Sequence, residues 1–311
     1  MKLLIAGGTG FIGTPLCHRL VQHGHELTVL SRTPQPRCAP VAVRFLSWDH
    51  PEWRRLIASV DGVINLAGES LAAKRWTPRQ KALLRDSRLQ TTRALVDAIA
   101  ASDRKPAVLI NASAIGYYGA RNDEELGEAD PTGRGFLAEL CVAWEAEARR
   151  AEALGVRVVR LRIGVVLGRG GGALAKMVPP FRWFAGGPLG SGRQWVSWIH
   201  RDDVTGLIAW ALARSDVSGP INATAPQPVR MREFSATLGR ALKRPSWAPV
   251  PAAALRLLVG EFAEALVTGQ RVLPQAALRG GYAFAFPTLA SALEACVTPP
   301  VSDIPYRSDS R

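Results

Sequence analysis

The sequence predicts an α/β fold: a doubly wound parallel sheet with a smaller C-terminal substrate or cap region. Two observations carry this. As far as Gly164, short apolar runs alternate with amphipathic stretches of helical period, the pattern of βα units that close into a parallel sheet. The first of those runs also leads directly into Gly7-Gly8-Thr9-Gly10-Phe11-Ile12-Gly13, a glycine-rich turn between a strand and a helix.

In chain order, strands are expected at Lys2–Ala6, Glu26–Ser31, Val43–Leu46, Gly62–Leu66, Ala107–Ala112 and Arg157–Ile163, with a last short strand at Pro220–Ala223. Helices are expected at Ile12–His23, Glu52–Ala58, Arg79–Ala101, Gly135–Leu154 and Asp203–Arg214. Gly and Pro are dense over residues 170–192, which predicts a loop-rich insertion. From Met231 to Val297 the pattern is mostly helical, broken at Pro245, Pro249, Pro251 and Pro274, and Pro299–Arg311 reads as a polar tail. The chain then divides into a nucleotide-binding domain over residues 1–225, a helical cap over 226–297 and a tail over 298–311, with the insertion at 168–204 contributing to the cap.

The chain has 311 residues, 39 of them basic and 26 acidic, for a formal charge of +13, and is 47% hydrophobic, which excludes a disordered or collagen-like chain. Such a charge can attract nucleic acid or an anionic membrane. The arginines are scattered, however, runs rarely exceed two, and no RNA-binding aromatic signature accompanies them, so neither partner is expected. The apolar start is too short for a signal peptide, and nothing approaches the ~18 unbroken apolar residues of a membrane span. Cys17, Cys38, Cys141 and Cys296 lie far apart, with neither a disulfide framework nor a metal-binding spacing. A cytoplasmic protein without a metal site is the expectation.

The glycine turn has a specific physical reading. Gly7 permits the tight turn, Gly10 lets backbone N–H groups approach a pyrophosphate, and Gly13 lets the helix pack against the strand. The helix start then offers unpaired N–H donors and the positive end of its dipole to the anion. The second strand ends in Ser31-Arg32-Thr33 with no acid to hold a ribose 2′-hydroxyl. Arg32 suits a 2′-phosphate, with Ser31 adding a hydroxyl, so NADP(H) is favoured. Asn65-Leu66-Ala67-Gly68 closes the fourth strand with small residues near the cofactor. In the next helix Leu84, Thr91, Leu95 and Ile99 form a stripe that includes Arg88, which either meets a cofactor phosphate or reaches out to solvent.

These residues together resemble the extended branch of the short-chain dehydrogenase/reductase superfamily. The likeness sharpens over Ser113–Gly119, Trp144-Glu145, Arg162–Gly168, Gly190–Gln194, Trp198-Ile199-His200 and Asp203, which recur among "epimerase family proteins", some of them labelled cell-division inhibitors. Residues 251–297 resemble the C-terminal domain of unknown function in those proteins. The resemblance implies a Rossmann fold with Gly7, Gly10, Phe11, Ile12, Gly13, Ser31, Arg32, Leu66, Ala67, Arg88 and Val166 at cofactor-contact positions.

Extended-branch enzymes use a Ser or Thr together with a Tyr-x-x-x-Lys pair, whose Lys lowers the Tyr pKa. Aligning the family Glu on Glu145 places Leu137 and Cys141 at the Tyr and Lys positions, and neither residue can do that chemistry. The family hydroxyl position falls on Ala114. Ser113 beside it is either a substitute or a strand-end serine bonded to backbone. Tyr118 maps to a substrate-lining position and, without a Lys, is expected to keep a pKa near 10 and to serve in substrate contact or packing. The Arg that contacts a sugar nucleotide in the family is Val196 here, which argues against such a substrate. Trp183, Phe184, Trp195 and Trp198 either line an apolar pocket or pack a lid. Asp202 or Asp203 is expected to cap a helix, and Asp123–Asp130 to be a solvated loop.

Two functions follow from the sequence. The first is an NADP(H)-dependent, epimerase-like oxidoreductase with Ser113 and Tyr118 at the site and an unidentified small-molecule substrate. The second is an NADP(H)-binding regulator or interaction protein without turnover. An oligomer is compatible with either.

Overall fold

The computed structural model describes residues 1–32 and 43–298, so Cys38 and all of the expected tail but Thr298 lie outside the described residues. The strands are β1 (Lys2–Ala6), β2 (Glu26–Ser31), β3 (Val43–Ser47), β4 (Gly62–Asn65), β5 (Val108–Ala114), β6 (Glu125–Leu126) and β7 (Arg157–Ile163). They continue with β8 (Val165–Leu167), β9 (Trp195–Val196), β10 (Trp198–His200), β11 (Gly219–Ala223), β12 (Val229–Arg230) and β13 (Arg271–Val272). The α-helices are α1 (Gly13–Gln22), α2 (Glu52–Leu56), α3 (Pro78–Ala101), α4 (Phe136–Arg149), α5 (Leu174–Arg182) and α6 (Arg201–Ala213). The C-terminal ones are α7 (Met231–Leu242), α8 (Ala252–Val259), α9 (Phe262–Val267), α10 (Gln275–Arg279) and α11 (Leu289–Val297).

Seven strands pair in parallel in the order β11-β7-β5-β4-β1-β2-β3. Because side chains alternate across a strand, β1 feeds two cores. Leu3 and Ile5 join Leu16, Leu20, Val204 and Ile208 under α1 and α6. Leu4 and Ala6 join Trp53, Leu95, Ile99 and Ala148 under α2, α3 and α4. Strand order reverses between β1 and β4, so the crevice beyond their carboxyl ends is where a doubly wound sheet takes its ligand. The Rossmann architecture expected from the sequence is the one observed.

A third core joins the insertion to the C-terminal region: Leu174, Phe181, Val196 and Trp198 pack with Phe234, Leu238, Leu289 and Leu293. Here α5 replaces part of the loop expected over 170–192, although Pro179 and Pro180 lie inside it. Burial of Leu174 and Phe181 outweighs the missing N–H donors, which a reading of proline alone does not capture. Residues 276–284 leave this region and return to the sheet, where Ala277 is buried in the first core and Tyr282 and Phe284 pack against it. They are held there by Asp203, whose carboxylate accepts from Ala285 N (2.8 Å) and Phe286 N (3.0 Å). The expected cap at Asp202 or Asp203 is instead made by His200, whose Nδ1 accepts from Asp202 N at 3.2 Å. Burial lowers the His200 pKa, consistent with a neutral imidazole that can accept. Among the described residues no helix is long and apolar enough to cross a membrane.

Candidate functional site

The turn after β1 sits against the end of β4. Gly7 has φ +80°, and a Cβ there would lie 2.7 Å from Leu66 C and 2.8 Å from Ala67 N. At Gly13 a Cβ would run into the Gly7 carbonyl oxygen, so no side chain fits between α1 and the turn. Gly10 N donates to Gly7 O (3.1 Å) and closes the turn. No side chain caps α1 and no acid lies in its first turn, so its leading N–H groups face the crevice without a protein anion. Phe11 reaches across to the loop after β8, and Cβ atoms at Gly171 or Gly172 would meet its ring. Ile12, Leu66 and Val166 are half-buried against the same core. Ser31 is buried at the end of β2, and the exposed Arg32 follows it.

Next to this crevice is a cavity of about 160 Å³ lined by Leu66, Ala67, Arg88, Ser113, Leu137 and Cys141, among others. The structure thus joins the fourth-strand segment to Ser113 and to the two positions where the family carries its Tyr and Lys. Arg88 lines this cavity instead of reaching out to solvent. Its Nη1 donates to Leu84 O (3.0 Å), its Nη2 to Glu69 O (2.9 Å), and its guanidinium lies 5.2 Å from the Trp144 ring centroid. Two carbonyls and an aromatic face support a cation that burial disfavours. The Cys141 thiol is pushed up to about 11, by burial first and by the nearby Glu145 carboxylate second, so it is protonated at neutral pH.

Ser113 Oγ donates to Glu145 Oε1 at 2.8 Å. Glu145 is itself gripped by Arg162, Nε to Oε1 at 2.8 Å and Nη2 to Oε2 at 3.0 Å, with Arg160 at 3.4 Å. Arg162 continues to the Tyr118 hydroxyl (2.9 Å), which also meets Asn222 Oδ1 (2.7 Å) and Gly127 O (2.9 Å). Tyr118 is fully buried and is not among the residues lining the cavity. Tyr118, named beside Ser113 for substrate contact or packing, packs: its phenol is a hub of the buried network and not a hydroxyl facing the cavity. Burial pushes its pKa up to about 12 against the opposing pull of Arg162, above the value near 10 expected from sequence.

Sequence reasoning missed a second polar layer beneath the cavity. Asn65 Nδ2 donates to Asn111 Oδ1 (2.7 Å) and Thr92 Oγ1 (2.9 Å), and Trp144 Nε1 reaches the same hydroxyl at 2.9 Å. Thr92, rather than Thr91, is the buried threonine of α3. Its position one helical turn from Leu95 and two from Leu84 and Ile99 was the available signal. The four aromatics considered for one pocket diverge. Trp198 is buried, with Nε1 on Gln227 O, and Trp195 Nε1 meets Asp123 while Arg230 and Arg271 lie over its ring. Trp183 and Phe184 are exposed. The acidic segment is not all solvated either: buried Glu128 accepts from Asn222 N (3.0 Å) and Ala276 N (3.1 Å).

Residues 3–223 match the model of the NAD dependent epimerase/dehydratase family. The chain belongs to that family. Residues 250–296 match a domain of unknown function, DUF1731, in agreement with the resemblance read over the C-terminal region. Among family relatives, the epimerase family protein SDR39U1 homolog, chloroplastic, of Arabidopsis thaliana is 43% identical over 95% of this chain and 86% of its own. An epimerase family protein of Mycobacterium bovis is 42% identical over 95% and 97%. The crystal structure of human epimerase family protein SDR39U1 (isoform 2) with NADPH matches at a TM-score of 0.85 and 37% identity, covering 95% of this chain and 99% of that one. A nucleoside-diphosphate sugar epimerase from Corynebacterium glutamicum matches at 0.75 and 32%, covering 95% of this chain and 58% of its own.

Proposed function

We propose that this family member binds NADP(H) in preference to NAD(H) and acts as an oxidoreductase on a small substrate admitted to the cavity at Ser113, in a cytoplasmic setting. The observation that carries the cofactor reading is the uncapped start of α1 above a turn with no room for side chains at Gly7 and Gly13, beside an exposed Arg32 where an NAD site would carry an acid. The human relative crystallised with NADPH supports it. Gly7, Gly10 and Gly13 would admit the diphosphate, Arg32 and Ser31 the 2′-phosphate, and Leu66, Ala67 and Val166 the flank.

When bound, the nicotinamide supplies or accepts a hydride. Ser113 Oγ donates a hydrogen bond to Glu145, so toward a substrate it serves as an acceptor for a hydroxyl. Glu145, both oxygens held by arginines, orients Ser113. Tyr118, buried and protonated, maintains the floor of the site. Leu137 and Cys141 in place of the family Tyr and Lys favour a second reading, an NADP(H)-binding regulator without turnover.

Calorimetric titration separates these claims. NADPH is expected to bind at least tenfold tighter than NADH, and Arg32→Asp to remove or reverse that preference, consistent with charge-assisted contacts worth about 1.5–3 kcal/mol. Equal affinities would sink the cofactor assignment. A screen of small alcohol substrates that yields NADP+ reduction impaired by Ser113→Ala supports the enzyme; a barren screen with intact binding supports the regulator.

A further inference from the structure

Helices α5 and α7 pack together in the third core, and the chain leaves each through a left-handed residue that is not glycine. Phe184 (φ 59°) and Lys243 (φ 54°) are the non-glycine residues with positive φ among the described residues. Glycine is the residue that ordinarily ends a helix in this conformation, and a bulky side chain there is an outlier. Both outliers sit at one tip of the molecule. Trp247 Nε1 donates to Phe184 O (2.8 Å), Trp247 N and Ala248 N both donate to Gly186 O, and the Arg244 guanidinium lies 4.6 Å from the Phe184 ring centroid.

The tip is apolar at its crest. Trp183 is 83% exposed, Trp247 68% and Phe184 55%. Because the indole N–H of Trp247 is already bonded inward, that ring offers solvent only hydrocarbon. Arg182, Lys243 and Arg244 surround the crest and are exposed. The stretches at the crest, residues 182–186 and 240–248, contain four basic residues and no Asp or Glu.

We propose that this tip docks on an anionic lipid surface, with Trp183, Phe184 and Trp247 entering the headgroup layer while Arg182, Lys243 and Arg244 meet lipid phosphates. Indole and phenyl rings favour that boundary, and basic side chains beside them are drawn to acidic headgroups. A single-stranded nucleic acid, the alternative for a basic aromatic surface, needs ring faces free for base stacking; Arg244 already lies over the Phe184 ring. The proposal reverses the expectation of no membrane partner, which rested on the spacing of arginines and took no account of exposed aromatics. It also gives the two left-handed residues a reason to carry side chains, since strained backbone gathers at working surfaces.

Sedimentation of the full-length protein with vesicles tests it. Binding is expected to phosphatidylglycerol-containing vesicles and not to pure phosphatidylcholine, and to weaken with salt. Trp183→Ala/Trp247→Ala should cut binding about tenfold or more, in line with the interfacial area removed. Lys243→Glu/Arg244→Glu should abolish it. Phe184→Gly discriminates most sharply: it should weaken vesicle binding while raising Tm by about 2 °C, because glycine relieves the left-handed backbone. Equal sedimentation with both vesicle types, wild-type binding by the tryptophan double variant, or tip variants that lose single-stranded RNA binding but keep vesicle binding would each overturn the proposal.

Discussion

Tyr118 illustrates how little a residue's neighbours in sequence can say about its role. The resemblance around Gly119 left substrate contact and packing both open, and its partners Asn222 and Arg162 lie 104 and 44 residues along the chain. Nothing local announces such a contact. Ser113, Leu137 and Cys141, by contrast, were legible from motif spacing, and they do meet at one cavity. The Tyr118 environment carries a pH signature. Its folded pKa of about 12 lies above the unfolded value near 10, so the stabilisation it contributes is complete below pH ~10 and is lost as pH rises toward 12. Urea unfolding at pH 9, 10.5 and 11.5 should show that decline in the wild type and a shallower one in Tyr118→Phe. The variant should itself be less stable by about 1–3 kcal/mol at pH 8, for the unsatisfied partners it leaves.

Elements were easier to read than their joints. Short apolar runs located β1, β2 and β7 residue for residue, because each lies inside a sheet covered on both faces and ends at a Gly or polar break. Helix α5 escaped because its stability comes from a core assembled by α7 and α11. The joint between α4, β5 and β7 is the Ser113–Glu145–Arg162 contact, made by buried groups. Removing one partner strands the other, so Glu145→Gln should cost about 3–5 kcal/mol in chemical unfolding. Replacing both, as Glu145→Leu/Arg162→Met, should recover most of that loss. If the double variant is no better than the single one, the pair is a net source of stability and not merely a mutual satisfaction of charge.

At the scale of the whole molecule, the C-terminal region is attached to the sheet by polar contacts that cross long stretches of chain. Asp203 on α6 holds Ala285 N and Phe286 N, so Asp203→Ala should cost about 1.5–3 kcal/mol for the loss of a charged acceptor to two part-buried donors. Amide exchange at residues 285 and 286 should accelerate before exchange at β1 or β5 changes. The family match over residues 3–223 and the separate match over 250–296 describe two segments; physically, residues 276–284 belong to the first core as much as to the second region.

Glu128 carries that interdependence into the order of assembly. Its carboxylate joins Asn222 N to Ala276 N, contacts separated by 94 and 148 residues along the chain. A ribosome has delivered every strand of the central sheet once Ala223 is made, yet at that moment two interior carboxylates, Glu128 and Asp203, still await amide partners at residues 276, 285 and 286. The nascent sheet is therefore complete in outline before it is electrostatically quiet inside. Its last increment of stability arrives with the final stretch of translation, which leaves a chain stalled or cleaved near residue 225 exposed to quality-control proteolysis.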